Sequence, residues 1–248
     1  MALTDRIYRG LPHSLRPFAR RVYNLTHPDQ VSDEKLQERR KALFDSEHKY
    51  QEYRKEFEDF VASQTDADDI DLWFSDIPGG ISFREGALYY SVVRELEPDY
   101  VVETGVANGN SSAAVLAALE RNENGTLYSV DLPFEETTIE QDQIIGDSLG
   151  NLVPDEFRHR WDFRKGYSQE LLPELFLEID EIDVFIHDSD HSAPCMMFEY
   201  ELAWTWLRTG GVLISDDINQ NDAFRMFGEE RASVWGPIEQ NTGFAIKD

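Results

Sequence analysis

A chain of 248 residues, 41% hydrophobic with a mean hydropathy of −0.51, is long enough for one well-cored domain with an appendage and too short for two full enzymatic domains. Its formal charge of −26, with 49 acidic against 23 basic residues, sets a repulsive field against DNA and RNA and argues against a nucleic-acid partner. No run approaches the roughly 18 apolar residues of a membrane-spanning helix, and the first residues lack the apolar core of a signal peptide, so a cytoplasmic protein without a transmembrane segment is expected. The single cysteine, Cys195, reads as a small packed residue.

Residues 1–24 carry Arg6, Arg9, Arg16, Arg20 and Arg21 against Asp5, a local +4 that leaves −30 for the remainder. Interleaved Ile7, Tyr8, Leu11, Leu15, Phe18, Val22 and Tyr23 make the segment amphipathic. Two uses stay open for it: peripheral contact with anionic membranes, and, favoured, a strap on the acidic body of its own or a neighbouring subunit. One long charged helix is expected over 32–62, with Leu36, Leu43, Tyr50, Phe57 and Val61 as a stripe for packing or homodimerisation. The stretch "TDADDIDLWFSDIPGG" reads as a loop, which separates an N-terminal extension (1–75) from the main domain (76–248).

From there helices and strands alternate: helix 83–96, strand 99–105, helix 110–121, strand 125–131, helix 139–149, strand 160–166, helix 169–178, strand 182–188, helix 193–208 and strand 211–217. The close, "WGPIEQNTGFAIKD", is a hairpin around Asn241, Thr242 and Gly243. This alternation implies an α/β fold with a doubly wound, Rossmann-like, mostly parallel seven-stranded sheet that ends in an antiparallel hairpin.

Ligands of such sheets collect outside the carboxyl ends of the strands. The first strand end, "VVETGVANGNSS", has Glu103-x-Gly105-x-x-x-Gly109 where a dinucleotide site would have Gly-x-Gly-x-x-Gly. A carboxylate two residues before the first glycine repels a pyrophosphate and attracts a cationic amine. S-adenosylmethionine, with an amino-acid end, a nucleoside and a positive charge, fits this turn. Asp131, 22 residues beyond Gly109, ends the next strand and suits the ribose hydroxyls. At the third end Gly166, Tyr167 and Ser168 open a helix beside an adenine, although helix capping explains Ser168 equally well. The fourth and fifth ends, "HDSDH" and "SDDIN", bring Asp188, Asp190, His191, Asp216 and Asp217, carboxylates that could share an oxygen-loving divalent ion. Asp190 suits a helix cap at least as well, and His187 reads as a half-buried strand histidine.

From about Ile81 to Lys247 the sequence resembles the class I S-adenosylmethionine-dependent methyltransferases. It is most similar to the metal-assisted branch with catechol-type and macrolide-sugar O-methyltransferases and cephalosporin-hydroxylase-like proteins. The segment "IDVFIHDSDHSAPCMMFEYELAWTWLRTGGVLISDDI" carries the likeness through Asp-x-x-His, a helix, Gly-Gly, an apolar strand and paired acids. The resemblance implies Asp188, Asp216 and Asp217 as Mg²⁺ ligands and His191 as a base, with Asp188 also catalytic. The candidate cofactor contacts are Glu103, Gly105, Asn108, Gly109, Ser111, Asp131, Leu132, Gly166, Tyr167, Ser168 and Asp188. The acceptor expected is a small molecule or a glycan, lipid-linked in one reading, and the acidic, lysine-poor composition is similar to that of haloarchaeal, halophilic proteins. The rivals are a metal-independent methyltransferase, a nicotinamide-dependent dehydrogenase and a non-catalytic S-adenosylmethionine-binding protein.

Overall fold

The computed structural model describes residues 33–64, 80–133, 136, 149–239 and 241–248. The basic segment 1–24 and the helix expected at 139–149, apart from its last residue, lie outside them. The chain divides into two compact units, Met1–Lys35 and Leu36–Asp248, and the sheet with its covering helices belongs to the second.

The long helix expected over 32–62 is two helices, α1 (Asp33–Arg40) and α2 (Glu47–Gln64). They part at a turn in which the Leu43 and Phe44 N–H groups both donate to the Arg40 carbonyl, which carries these two side chains into the core. Ser46 then restarts the helix, its hydroxyl accepting from Lys49 N at 3.1 Å. The stripe is buried as its spacing requires: Tyr50, Tyr53, Phe57 and Val61 of α2 lie in the core, and the Phe57 ring meets Phe83 and Tyr90 at 5.3 and 5.4 Å. Those partners belong to α3 (Phe83–Leu96), opened by a capping box in which Ser82 Oγ accepts from Glu85 N and Glu85 Oε2 accepts from Ser82 N.

The expected alternation follows as β1 (Tyr100–Thr104), α4 (Asn110–Asn122), β2 (Thr126–Asp131), β3 (Trp161–Lys165), α5 (Ser168–Ile179), β4 (Ile182–His187), α6 (Ala193–Trp206) and β5 (Leu207–Ser215). Next come α7 (Ala223–Arg231) and the hairpin β6 (Val234–Pro237) and β7 (Gly243–Ile246). The sheet order is β3-β2-β1-β4-β5-β7-β6, parallel from β3 to β5 and antiparallel at both β7 pairings. The seven-stranded doubly wound sheet is therefore present. Alternate residues of each central strand feed two cores: Val101, Val184 and Ile186 pack with α3 and α4, Val102 and Phe185 with α5 and α6. Among the described residues no helix is long and apolar enough to cross a membrane.

Two elements depart from the sequence reading. Strand β5 begins at Leu207, four residues earlier than expected, because Leu207 pairs with Ile182 before a register shift restores pairing at Val184 and Val212. Helix α7 has no counterpart in the sequence reading. Its Gly228 looks like a breaker, yet a Cβ there would meet the Trp235 ring at 2.3 Å, so the glycine seats the helix on β6.

Candidate functional site

The carboxyl ends of β1, β2, β4 and β5 surround the turn after β1, and that turn is built by close backbone packing. Gly105 has φ +85°, its N–H donates to Val130 O at 2.9 Å, and a Cβ on it would stand 2.0 Å from the Asp188 carbonyl. Only glycine lets the β1 and β4 turns touch in this way. Gly109, φ +91°, is the N-cap of α4 without a side-chain cap, and a Cβ there would press on Gly150 and Val153. Asn108 is buried and its carbonyl accepts from Leu152 N at 2.9 Å, so the loop rests on the segment leading to β3.

Glu103 is wholly buried at the end of β1. Its Oε2 accepts from Ser112 Oγ at 2.6 Å and Ser129 Oγ at 2.7 Å, while Oε1 has no partner. Burial pushes this carboxyl up to about 7, against the pull of the neighbouring serine hydroxyls. Asp131 ends β2 and gathers the loop: Oδ2 accepts from Val106 N and Ala107 N at 2.8 and 2.9 Å, Oδ1 from Leu132 N at 2.7 Å. A carboxylate offers roughly four lone-pair positions. Three are thus engaged by the loop, and burial still raises the pKa of this group. Below it, Gly166 N donates to Asp131 O at 2.8 Å. Tyr167 stands at the N-cap of α5, exposed, with its hydroxyl bonded to Glu136. The Ser168 hydroxyl does not cap α5 but bonds to Glu199.

At the ends of β4 and β5, ligand atoms of Asp188, His191 and Asp216 all lie within 4.8 Å of one another. The triad differs from the one expected, with His191 in the place assigned to Asp217. Residue 217 takes a left-handed conformation, φ +50°, and its Oδ2 accepts from Gln220 at 2.5 Å while standing 4.0 Å from His191 Nδ1. His191 Nε2 is 3.6 Å from Asp188 Oδ1. Burial works to lower the His191 pKa, but Asp188, Asp217 and Asp190 outweigh it and raise it. Burial raises Asp188, and burial together with Asp188, Glu85 and Asp217 raises Asp216 well above the usual carboxylate range. Asp190 caps the following turn, accepting from Ser192 N and Oγ at 3.0 and 2.9 Å.

Three site residues escaped the sequence reading. Glu85 Oε1 and Asp216 Oδ1 both face Thr242 Oγ1, at 3.2 and 3.4 Å, so the first turn of α3 and the hairpin loop close over the end of β5. Tyr89, one turn beyond Glu85, is fully buried with its hydroxyl unpartnered. Glu199, on the other face of the sheet, is fully buried beneath the cluster. It accepts from Thr104 Oγ1 at 2.6 Å and Ser189 Oγ at 2.9 Å, and its Oε2 lies 2.6 Å from His187 Nδ1. His187, read from sequence as half-buried, is thus wholly buried with a carboxylate partner, and its ring meets that of His191 edge-on at 5.4 Å.

Residues 102–218, which contain the β1 turn, Asp131 and the acid cluster, match a protein family described as a methyltransferase domain. No curated protein matches the sequence. Among solved structures, the chain is similar to the O-methyltransferase TomG from Streptomyces achromogenes in complex with S-adenosylmethionine (15% identity, 76% of this chain and 89% of that one, TM-score 0.54). It is also similar to cofactor-bound Rv0187 from MTB (15%, 77% and 90%, TM-score 0.55) and to an O-methyltransferase from Bacillus cereus (15%, 79% and 91%, TM-score 0.51). The family match places a methyltransferase domain over residues 102–218, on the central strands of the seven-stranded sheet that the chain shares with these structures.

Proposed function

We propose that the protein transfers the methyl group of S-adenosylmethionine to a hydroxyl oxygen of a small molecule or sugar, with a divalent ion held among the acids that end β4 and β5. The observation that carries this reading is the convergence of Asp188, His191 and Asp216 beside the turn after β1. Without a cation the charged forms of these acids are disfavoured: burial first, and neighbouring carboxylates after it, raise Asp188 and Asp216. Asp188 and Asp216 would hold the ion, with Asp217 beside them, and an all-oxygen set suits Mg²⁺. When bound, the ion lowers the pKa of an acceptor hydroxyl and fixes its position.

This chain's own residues supply the rest. Glu103 offers Oε1 to the ammonium of the cofactor, Asp131 a remaining lone pair to the ribose, and the stretch Gly166 to Ser168 a wall for the adenine. The acceptor oxygen forms the new bond to the methyl carbon as the S–CH₃ bond breaks, and that electron pair returns to sulfur. His191 takes the hydroxyl proton. Its neighbouring carboxylates raise its pKa and favour the protonated form, so turnover should climb as rising pH frees the imidazole. The 4.8 Å convergence favours a second reading of His191 as the third ligand in place of Asp217, which would shift preference toward an ion that accepts imidazole.

The decisive experiment follows transfer of a labelled methyl group to hydroxyl acceptors by mass spectrometry, with and without EDTA. Loss of product under chelation and its return with Mg²⁺ supports the metal role. Full product in excess EDTA would leave a metal-independent methyltransferase, and cofactor binding with no product on any acceptor a binding protein. His191→Ala separates base from ligand: it spares metal affinity and lowers turnover roughly 10²- to 10⁴-fold as a base, and weakens metal binding as a ligand.

A further inference from the structure

Among the buried polar atoms at the site without a partner, which include His191 Nε2, two on the α3 side of the sheet have opposite hydrogen-bonding character: Glu103 Oε1, an acceptor, and Tyr89 Oη, a donor. Both residues are wholly buried, out of reach of bulk solvent. Unsatisfied buried polar atoms are rare in native proteins because each costs free energy, and such atoms at a site are the natural seats of a ligand. They lie on one side of the sheet. Tyr89 packs in the core that contains Val101 and Ile186, and strand alternation puts Glu103 on the Val101 side of β1. Helix α3 presents its first turns to the carboxyl ends of the strands, as the contacts of Glu85 and Asp216 with Thr242 show. Tyr89, four residues after Glu85, occupies the same helix face.

The charges around the phenol are the carboxylates of Asp216, Asp188, Glu85 and Glu103. All four are suited to a cation and none can receive an anion. The amino-acid end of S-adenosylmethionine is a zwitterion: its ammonium suits Glu103, but its carboxylate would meet only repulsion from these acids. It needs a neutral donor among them, to add to the amides of the uncapped α4 N-terminus. Tyr89 is such a donor, with no other acceptor.

We infer that the Tyr89 hydroxyl is the hydrogen-bond donor to the carboxylate of the cofactor's amino-acid end, paired with Glu103 at its ammonium, so that the two side chains read the zwitterion. This rests on the assignment of S-adenosylmethionine as cofactor. The role is one of binding, and Tyr89 takes no part in the transfer itself.

The test is calorimetric titration of the full chain and its Tyr89→Phe variant with two ligands, S-adenosylmethionine and its decarboxylated analogue, which keeps the amine and the sulfonium. Tyr89→Phe should weaken S-adenosylmethionine binding roughly ten-fold and leave the decarboxylated analogue unchanged. Because the hydroxyl has no partner in the empty protein, the variant should melt at the same temperature as the parent or higher without ligand, and show a smaller rise with S-adenosylmethionine. Equal affinity of parent and variant for S-adenosylmethionine, equal loss for both ligands, or a marked drop in the unliganded melting temperature would each overturn the inference. Failure of the parent protein to bind S-adenosylmethionine at all would instead remove the cofactor reading beneath it.

Discussion

Glu103 meets two opposed demands with one carboxylate: it must be charged to hold an ammonium, yet it is wholly buried and its pKa is pushed up to about 7. A folded-state value above the ordinary 4.5 means that the empty protein keeps this proton through the acidic range and releases it near neutrality. An ammonium against Oε1 favours the charged form, so cofactor binding should expel a proton. We expect the observed binding enthalpy at pH 6 to vary with the ionisation enthalpy of the buffer, and this dependence to vanish above pH 8.5. A buffer-independent enthalpy at pH 6 would show that Glu103 does not titrate on binding. At Gly105 the constraint is steric. Gly105→Ala places a methyl 2.0 Å from a backbone oxygen at φ +85°, and urea unfolding should show a loss of roughly 2–4 kcal/mol.

At the scale of elements, β1, β4 and α6 are tied together by Glu199 and the groups that surround it. Burial works to raise its pKa, but the charge and hydrogen bond of His187, with hydrogen bonds from Ser168 and Thr104, outweigh burial and hold it at about 2. The folded value lies below the ordinary 4.5, so this contribution to stability is complete above about pH 4.5 and lost as the pH falls toward 2. Glu199→Gln should cost about 3 kcal/mol or more at neutral pH, the usual result of breaking a buried pair. The gap from the parent protein in urea unfolding should narrow as the pH is lowered below 4.5. A gap that stays constant would mean that Glu199 acts through packing alone.

The same elements show what a linear reading can and cannot reach. Parallel strands buried on both faces are continuous apolar runs, and acids or glycines at their ends stand out, so Glu103, Gly105, Asp131, Asp188 and Asp216 were legible. Glu199 and Tyr89 were not. Within "MMFEYELAW" and "GALYYSVV" they look like an ordinary helix acid and an ordinary core aromatic. What distinguishes them is the approach of Thr104, His187 and Asp216 from distant strands. Adjacent residues leaving a strand diverge, so Asp217, in a left-handed turn, does not share the close triad of Asp188, His191 and Asp216, a difference that the paired letters do not show. Helix α7 was missed because the need for Gly228 lies in Trp235, seven residues on.

For the whole molecule the dominant fact is a charge of −26 spread over 248 residues. Many surface acids are engaged, as in the Arg225–Glu229 and Arg231–Glu201 pairs, but exposed pairs of this kind contribute little, and the excess of acid far exceeds the available bases. Self-repulsion therefore opposes the compact state and is relieved by screening. Thermal melting in KCl from 0.1 to 3 M should show a rising midpoint, and a flat or falling one would count against adaptation to a salt-rich interior.

The contact between Gly105 and the carbonyl of Asp188 reaches further than either residue. It joins the turn after β1 to the turn after β4 through bare backbone, with no side chain between them to bend or be exchanged. The two turns behave as a single casting, whose internal gauge is set by atomic radii. Whatever distance separates a donor seated on the first from an acceptor seated on the second cannot be retuned by substitution at the floor. Variants with altered acceptor preference should therefore arise at the rim, in the segment 219–222 beyond β5, where side chains can change volume without parting the two turns.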